Sequence, residues 1–256
     1  MCSSDLAAGA DLDDPASLAT FDFSADCLLH SAPPPGNGEG DSRTVHLAAA
    51  LAHAGKCGVM VPRHIVYLGT SGVYGDCAGD WVDETRALNP QSARASRRVH
   101  AEQVLHQVAA ELGASLIVLR VPGIYAADRL PLARLRASTP VLCDEDDVYT
   151  NHVHAEDLAG MIALALAAQG VSGVFNANDD TQMKMAEYFD LVAERYGLPR
   201  PRRITRKEAR TSVSPELLSF WSESRRLVNR RIKEVLGVRL RYPTVREGVP
   251  SMVAAN

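Results

Sequence analysis

The chain has 256 residues, 46% of them hydrophobic and 23% charged, with a formal net charge of −4. That length buries one sizeable core with room for a small second lobe, and no run of about 18 apolar residues is present, so neither a membrane span nor a signal peptide is expected. Five cysteines (Cys2, Cys27, Cys57, Cys77 and Cys143), odd in number and without a Cys-x-x-Cys, predict a reducing, cytoplasmic setting and no structural zinc.

Met1–Leu6 show no periodicity and read as non-native sequence joined to a fragment. Asp14 is placed to cap a helix that opens on Pro15. Ala25–Ala32 reads as a strand, Pro33–Gly40 as a loop, and His46–Ala54 as a helix. Gly36-x-Gly38-x-Gly40 superficially suggests a phosphate cradle, but that fingerprint needs a strand directly before it and a helix opening inside it. Three prolines intervene and Asp41 follows, so this loop is not expected to hold phosphate, and no other Gly-x-Gly-x-x-Gly is present. Ile65–Leu68, apolar and closed by Gly69-Thr70-Ser71-Gly72, suits a buried parallel strand. After Asn89-Pro90-Gln91-Ser92, apolar residues at 101, 104, 105, 108, 109 and 112 recur at helical spacing, with Gly113 as the stop. Leu116–Leu119 is a second buried strand, which makes one right-handed crossover of a parallel sheet.

Further on, Asp144–Asp147 reads as a solvated acidic turn. His152 and His154 face one way on a strand, but no Cys or carboxylate completes a metal site at recognisable spacing. Asp157 is expected to cap the following helix, with His154 packing or hydrogen-bonding nearby. Gly173–Ala177 is the last strand. Between Glu194 and Glu247, 15 Lys/Arg stand against 6 Asp/Glu, so this stretch carries +9 and the rest of the chain −13. It contains Ser224–Asn229 and a helix ending at Gly237. Three readings stand for its charge: a solvated face, a site for an anionic small ligand, and a nucleic-acid face. The absence of any nucleic-acid motif speaks against the last.

Thr70-Ser71-x-Val73-Tyr74-Gly75, followed by Pro90-x-Ser92, a helix with Glu102, and His154-Ala155-Glu156-Asp157-Leu158-Ala159, resembles the extended short-chain dehydrogenase/reductases, and more narrowly the NAD-dependent epimerase/dehydratase branch. The resemblance runs from about Asp11 to Gly248. It implies an α/β fold, a Rossmann-like doubly wound parallel sheet that is N-terminally incomplete, with a small C-terminal substrate lobe. Residues 7–178 would form the partial NAD(P)-binding domain and 179–256 the lobe, to which 121–150 would contribute. Asp11 and Leu12 then match the adenine side, Ser31 and Ala32 the end of the family's fourth strand, and Val121, Pro122 and Gly123 the segment that passes the nicotinamide. Ser71, Tyr74, Tyr125 and Arg225 match the substrate side, and Thr70 the catalytic Ser or Thr.

One departure carries chemistry. The family's Tyr-x-x-x-Lys falls on Arg94 and Arg98, and no Tyr-x-x-x-Lys occurs anywhere in the chain. A guanidinium does not release its proton near neutral pH, so Arg94 cannot replace the phenol. Arg98 would still hold a cofactor ribose or phosphate as a fixed cation, a role compatible with a salt-bridged helix stripe at Arg94, Arg98 and Glu102. The expected function is an NAD(P)-binding, epimerase/dehydratase-like oxidoreductase homologue acting on a small, sugar-nucleotide-like ligand, with NAD or NADP as cofactor; the N-terminally incomplete chain is itself not expected to hold that cofactor tightly. The alternative is a non-catalytic NAD(P)-sensing or protein-interaction scaffold. A small-molecule ligand is the expected partner, with no nucleic acid and no membrane, and a homodimer is among the assemblies the resemblance allows.

Overall fold

A computed structural model of the chain describes residues 9–251; Met1–Leu6, read above as non-native, lie outside them. The elements run α1 (Pro15–Ala19), β1 (Cys27–His30), α2 (Ser42–Lys56), β2 (His64–Thr70), β3 (Trp81–Val82), α3 (Ala93–Leu112), β4 (Ser115–Val121) and β5 (Gly123–Tyr125). Then come α4 (Leu132–Arg136), β6 (Val141–Leu142), β7 (Tyr149–Thr150), β8 (His152–His154), α5 (Ala155–Ala167), β9 (Gly173–Asn176), β10 (Met183–Lys184) and α6 (Met185–Arg195). The chain closes with β11 (Arg203–Ile204), α7 (Arg206–Ser212), α8 (Pro215–Phe220), β12 (Arg226–Leu227), α9 (Arg230–Leu236) and α10 (Val245–Gly248). No described helix is long and apolar enough to cross a membrane.

The central sheet has the order β1-β2-β4-β9, with β1 and β2 parallel and His30 opposite Tyr67. This is the α/β arrangement of a Rossmann-like fold. Two compact units, interleaved along the sequence, make up the chain. The first takes in the chain to Val73, Pro90–Leu119 and Ala165–Val174; the second takes in Tyr74–Asn89, Arg120–Leu164 and the chain from Phe175.

In the first unit α2 and α3 pack on each other and on the sheet. Leu47 and Leu51 of α2 and Ala101, Leu105, Val108 and Ala109 of α3 close over Ile65, Tyr67, Leu116 and Val118. The ends of α3 follow from its sequence. The Ser92 side chain accepts the Ala95 N–H at 3.2 Å, and Gly113 ends the helix at φ 62°, a left-handed conformation that costs a glycine little. Asp14 caps α1 with Pro15 in its first turn, as its sequence predicts.

In the second unit four short ribbons replace a large sheet: β5 with β8, β6 with β11 and β3 with β12, all parallel, and β7 with β10 antiparallel. Their core centres on α6, where Tyr188, Phe189 and Val192 meet Tyr125, Val141 and Val245. The Asp144–Asp147 turn is not simply solvated. Asp146 accepts the Arg206 N–H and Asp147 accepts those of Val148 and Ala186, so two of its carboxylates bind backbone donors at and near the starts of α6 and α7.

Candidate functional site

The carboxyl edge of a parallel sheet is where its ligands collect, and in the first unit that edge holds Thr70 as the last residue of β2, Ser71 after it, and Ser31 and Ala32 just beyond β1. Thr70 is half-buried, and its Oγ1 accepts the Gly72 N–H at 3.2 Å. That bond fixes the rotamer and leaves the hydroxyl proton as the donor. Ser71 is buried.

Arg98 lies one helical turn after the exposed Arg94 on α3. Its Nη1 donates to Tyr67 Oη and to Leu68 O, both at 3.1 Å. The guanidinium is thereby anchored to Tyr67 and Leu68 in the second half of β2 as a fixed cation. Tyr67, which sequence spacing hides inside an apolar run, brings a phenol beside a cation, superficially the missing pair. Tyr67 is fully buried, and burial pushes its pKa above the ordinary phenol value, against the opposing pull of Arg98.

Behind Tyr67 runs a buried polar chain that the sequence did not reveal. Asp41, the N-cap of α2, accepts the Thr44 hydroxyl at 2.7 Å, and Thr44 Oγ1 lies 2.8 Å from His30 Nε2. With the threonine proton given to Asp41, Nε2 of His30 carries the hydrogen. The His30 ring stacks on Tyr67 at 5.3 Å, and burial pushes its pKa down to about 4.

The glycine loop before Asp41 is turned the other way from a phosphate cradle. Arg97 donates to Gly38 O at 2.9 Å and to Gly36 O at 3.4 Å, so the loop offers carbonyls to a buried guanidinium. Asp11 accepts the Asp13 N–H and sits in the turn before α1, while Leu12 packs on the core and its carbonyl accepts from His46 Nδ1. Thr70, Ser71, Ser31, Ala32 and Arg98 thus stand together at one edge.

The second unit places the remaining sequence-matched residues separately. Val121, Pro122 and Gly123 join β4 to β5, and a Cβ at Gly123 would lie 3.3 Å from Asn151 O. Tyr74 is buried and donates to Asn176 Oδ1 at 2.8 Å. Tyr125 is buried with its hydroxyl 3.4 Å from Thr244 O. Arg225, a candidate phosphate ligand by sequence, donates through Nη1 to Gly75 O and to Glu223, both at 2.7 Å. It belongs to a strap, Ser224–Asn229, that holds the loop after Tyr74: Ser224 O accepts from Cys77 and Gly79, Arg226 donates to Gly79 O, and Asn151 bridges to Arg225 O and the Leu227 N–H.

His152 and His154 do face one way, into aromatic rings: His152 lies 4.3 Å from Tyr188 and His154 lies 4.0 Å from Tyr242. No described group of three His, Cys, Asp or Glu is arranged to hold a metal. The start of α5 is capped by His154, whose Nδ1 accepts the Glu156 N–H, rather than by Asp157. Asp157 instead accepts the backbone N–H groups of Arg241 and Tyr242, a long-range tie invisible to local spacing.

Burial pushes His152 down to about 4 and lifts Asp179 to about 7. The two act on stability with opposite signs. Between pH 4 and 6.5 the unfolded chain takes up a proton at His152 that the native state refuses, so stability rises with pH there. Between pH 4 and 7 native Asp179 keeps a proton that the unfolded chain has lost, so its contribution falls as pH rises. Asp179→Asn is expected to remove the second slope. Urea melts across pH 4–8 should show the variant gaining on the parent as pH rises, and parallel profiles would rule the effect out.

A parallel α/β sheet with a threonine and an anchored cation at its carboxyl edge is the frame of a dinucleotide-type α/β protein. The chain belongs to the NAD dependent epimerase/dehydratase family, whose pattern matches residues 8–177. It is 29% identical to the protein YeeZ of Escherichia coli (strain K12) over 182 residues, 69% of this chain and 61% of that protein, so it spans under two thirds of that relative's length. A solved structure of a functionally unknown conserved protein from Silicibacter pomeroyi is 34% identical, with TM-score 0.74, covering 87% of this chain and 75% of that one. The UDP-glucose 4-epimerase of Thermus thermophilus, solved in complex with NAD, shares the fold at 19% identity and TM-score 0.70, covering 93% and 80% of the two chains.

Proposed function

We propose that the chain carries an NAD(P)-dependent, epimerase/dehydratase-like oxidoreductase function on a small, sugar-nucleotide-like ligand, and that it does so without a Tyr–Lys pair. The observation that carries this is Thr70, held by Gly72 as a donor at the sheet's carboxyl edge, with the Arg98 guanidinium pinned two residues back along the same strand. Family membership supports it, as does the NAD complex of the structurally similar Thermus epimerase. The dinucleotide, when bound, supplies the hydride acceptor. Ser31, Ala32 and Arg98 would hold it from this edge, and Thr70 would orient the substrate oxygen at the reacting carbon by a hydrogen bond, the proton released with the hydride passing to solvent water.

A second reading, an NAD(P)-sensing scaffold without turnover, is favoured by one observation: the phenol beside the cation, Tyr67, is fully enclosed. Titration with NADH and NADPH by calorimetry, followed by turnover assays with UDP-glucose, separates the two. Binding with turnover supports the first reading and binding without turnover the second; no binding overturns both. In the first case Thr70→Val is expected to lower turnover by about 10²-fold, the scale of losing one positioned donor, with little change in melting temperature, and Thr70→Ser to recover most of it. Undiminished turnover in Thr70→Val would leave the threonine as a turn residue only.

A further inference from the structure

Beside the β3–β12 ribbon, wholly within the second unit, lies an open cleft of about 270 Å³. Its walls are Trp81, Leu227, Val228, Asn229 and Arg230 on one side and Asp179, Asp180, Thr181 and Gln182 on the other. In the parallel pairing Trp81 is opposite Arg226, and their neighbours Val82 and Leu227 turn into the core. The indole is therefore held outward, 48% exposed, with the Arg226 guanidinium 4.7 Å from its ring centroid. An exposed tryptophan braced in this way is a flat apolar platform.

The rest of the cleft is polar and of mixed charge. Asp180 accepts from Asn229 and Lys233, which fixes its carboxylate. Arg230 pairs with Glu234 at 3.8 Å, and both side chains are largely exposed, so that pair holds the guanidinium weakly. Gln182 is exposed. Asp179 is 1% exposed, and its Oδ2 has no hydrogen-bond partner among the described residues. Leaving a buried acceptor or donor unmatched is costly, and a polar ligand or water relieves it.

Size decides what fits. The volume is just under the about 300 Å³ at which pockets for drug-sized ligands begin, too small for a dinucleotide and suited to one ring. A ring with an apolar C–H face and a rim of hydroxyls matches an indole platform edged by a carboxylate, an amide and a guanidinium. We propose that this cleft binds a single neutral pyranose, its C–H face on Trp81 and its hydroxyls toward Asp180, Gln182 and Arg230. The assignment is independent of the function proposed above.

The chain contains two tryptophans, and the other, Trp221, is buried in a separate cluster with Leu142 and Ile204. A change in tryptophan emission caused by a ligand in this cleft is thus expected to come from Trp81, and Trp81→Ala identifies the Trp221 background. Titration with methyl β-D-glucopyranoside, methyl β-D-galactopyranoside and N-acetyl-D-glucosamine is expected to give a saturable emission change with at least one of them. Arg230→Ala and Gln182→Ala, both at exposed positions, should each weaken it by about tenfold. Trp81→Ala, checked for folding by circular dichroism, should abolish saturation transfer to the sugar in NMR, whereas Thr70→Val should leave sugar binding unchanged. No saturable response to any of the three sugars, a response that survives Trp81→Ala, or a response only to UDP or inorganic phosphate would overturn the assignment.

Discussion

Asn176→Ala is expected to destabilise the chain by about 2–4 kcal/mol, since it removes three buried hydrogen bonds, each worth about 0.5–1.5 kcal/mol net. Asn176 is fully buried at the end of β9. Its Nδ2 donates to Val82 O and to Val228 O, both at 3.1 Å, and its Oδ1 accepts from Tyr74. One amide therefore ties β3, the residue after β12 and the Tyr74 turn to a single point. Alanine removes all three bonds, although Val82 O still accepts the Val228 N–H at 2.9 Å. Urea denaturation at neutral pH measures the loss, and a change below about 1 kcal/mol would mean that the ribbon is held by its apolar contacts instead. Asn176→Asp adds a sign: at neutral pH its charge would face two carbonyl oxygens, so that variant should be the less stable of the two there and regain stability in acid, where the carboxyl can donate.

Gly248→Ala should cost about 1–3 kcal/mol, the usual range for overpacking a filled core. Gly248 is the last residue of α10, and a Cβ there would lie 2.8 Å from Cε2 and 2.9 Å from Cζ of Tyr125, with the phenolic oxygen nearer still. Tyr125 cannot retreat, because His154 lies edge-on to it at 5.1 Å and His152 at 6.1 Å. In a Tyr125→Phe background the nearest atom is gone, and the penalty should shrink. Gly160→Ala is the internal control. It lies within α5 with nothing within 4 Å of the new methyl, and helix propensity predicts a gain of about 0.5–1 kcal/mol. Equal melting temperatures for the two alanine variants would remove the steric account.

The parts of the fold that were legible in the sequence are those with local causes. Ser92 and Gly113 bound α3 through bonds within four residues, and the apolar run of β2 announces itself by burial on both faces. At the sheet edge the sequence points to Thr70, which ends that run, and to Ser31, Ala32, Ser71 and Arg98 through the resemblance. Tyr67 was hidden because its hydroxyl meets Arg98, 31 residues away, and the Asp41–Thr44–His30 chain because its histidine lies 14 residues upstream on another element. Arg225 matches the substrate side by resemblance, and Arg206 is one of the fifteen basic residues counted in the tail, yet both donate to carbonyl oxygens of distant loops. Charge counted along a sequence says nothing of which charges the fold has already used.

The Ser224–Asn229 strap bears on how the protein is made as well as on how it stands. Arg225 closes on Gly75 across 150 residues of chain, and Ser224 on Asp76 across 148. A ribosome adding about 5–20 residues each second needs on the order of ten seconds to supply the second partner after the first. During that interval Val82 has no strand to pair with and Trp81 no guanidinium beside it, while the early β1–β2 pairing, 37 residues apart, is already available. Long-range closure of this kind is slow and leaves apolar surface uncovered meanwhile. The Tyr74–Val82 segment of a nascent chain would thus stay open to chaperones and proteases until the strap is made.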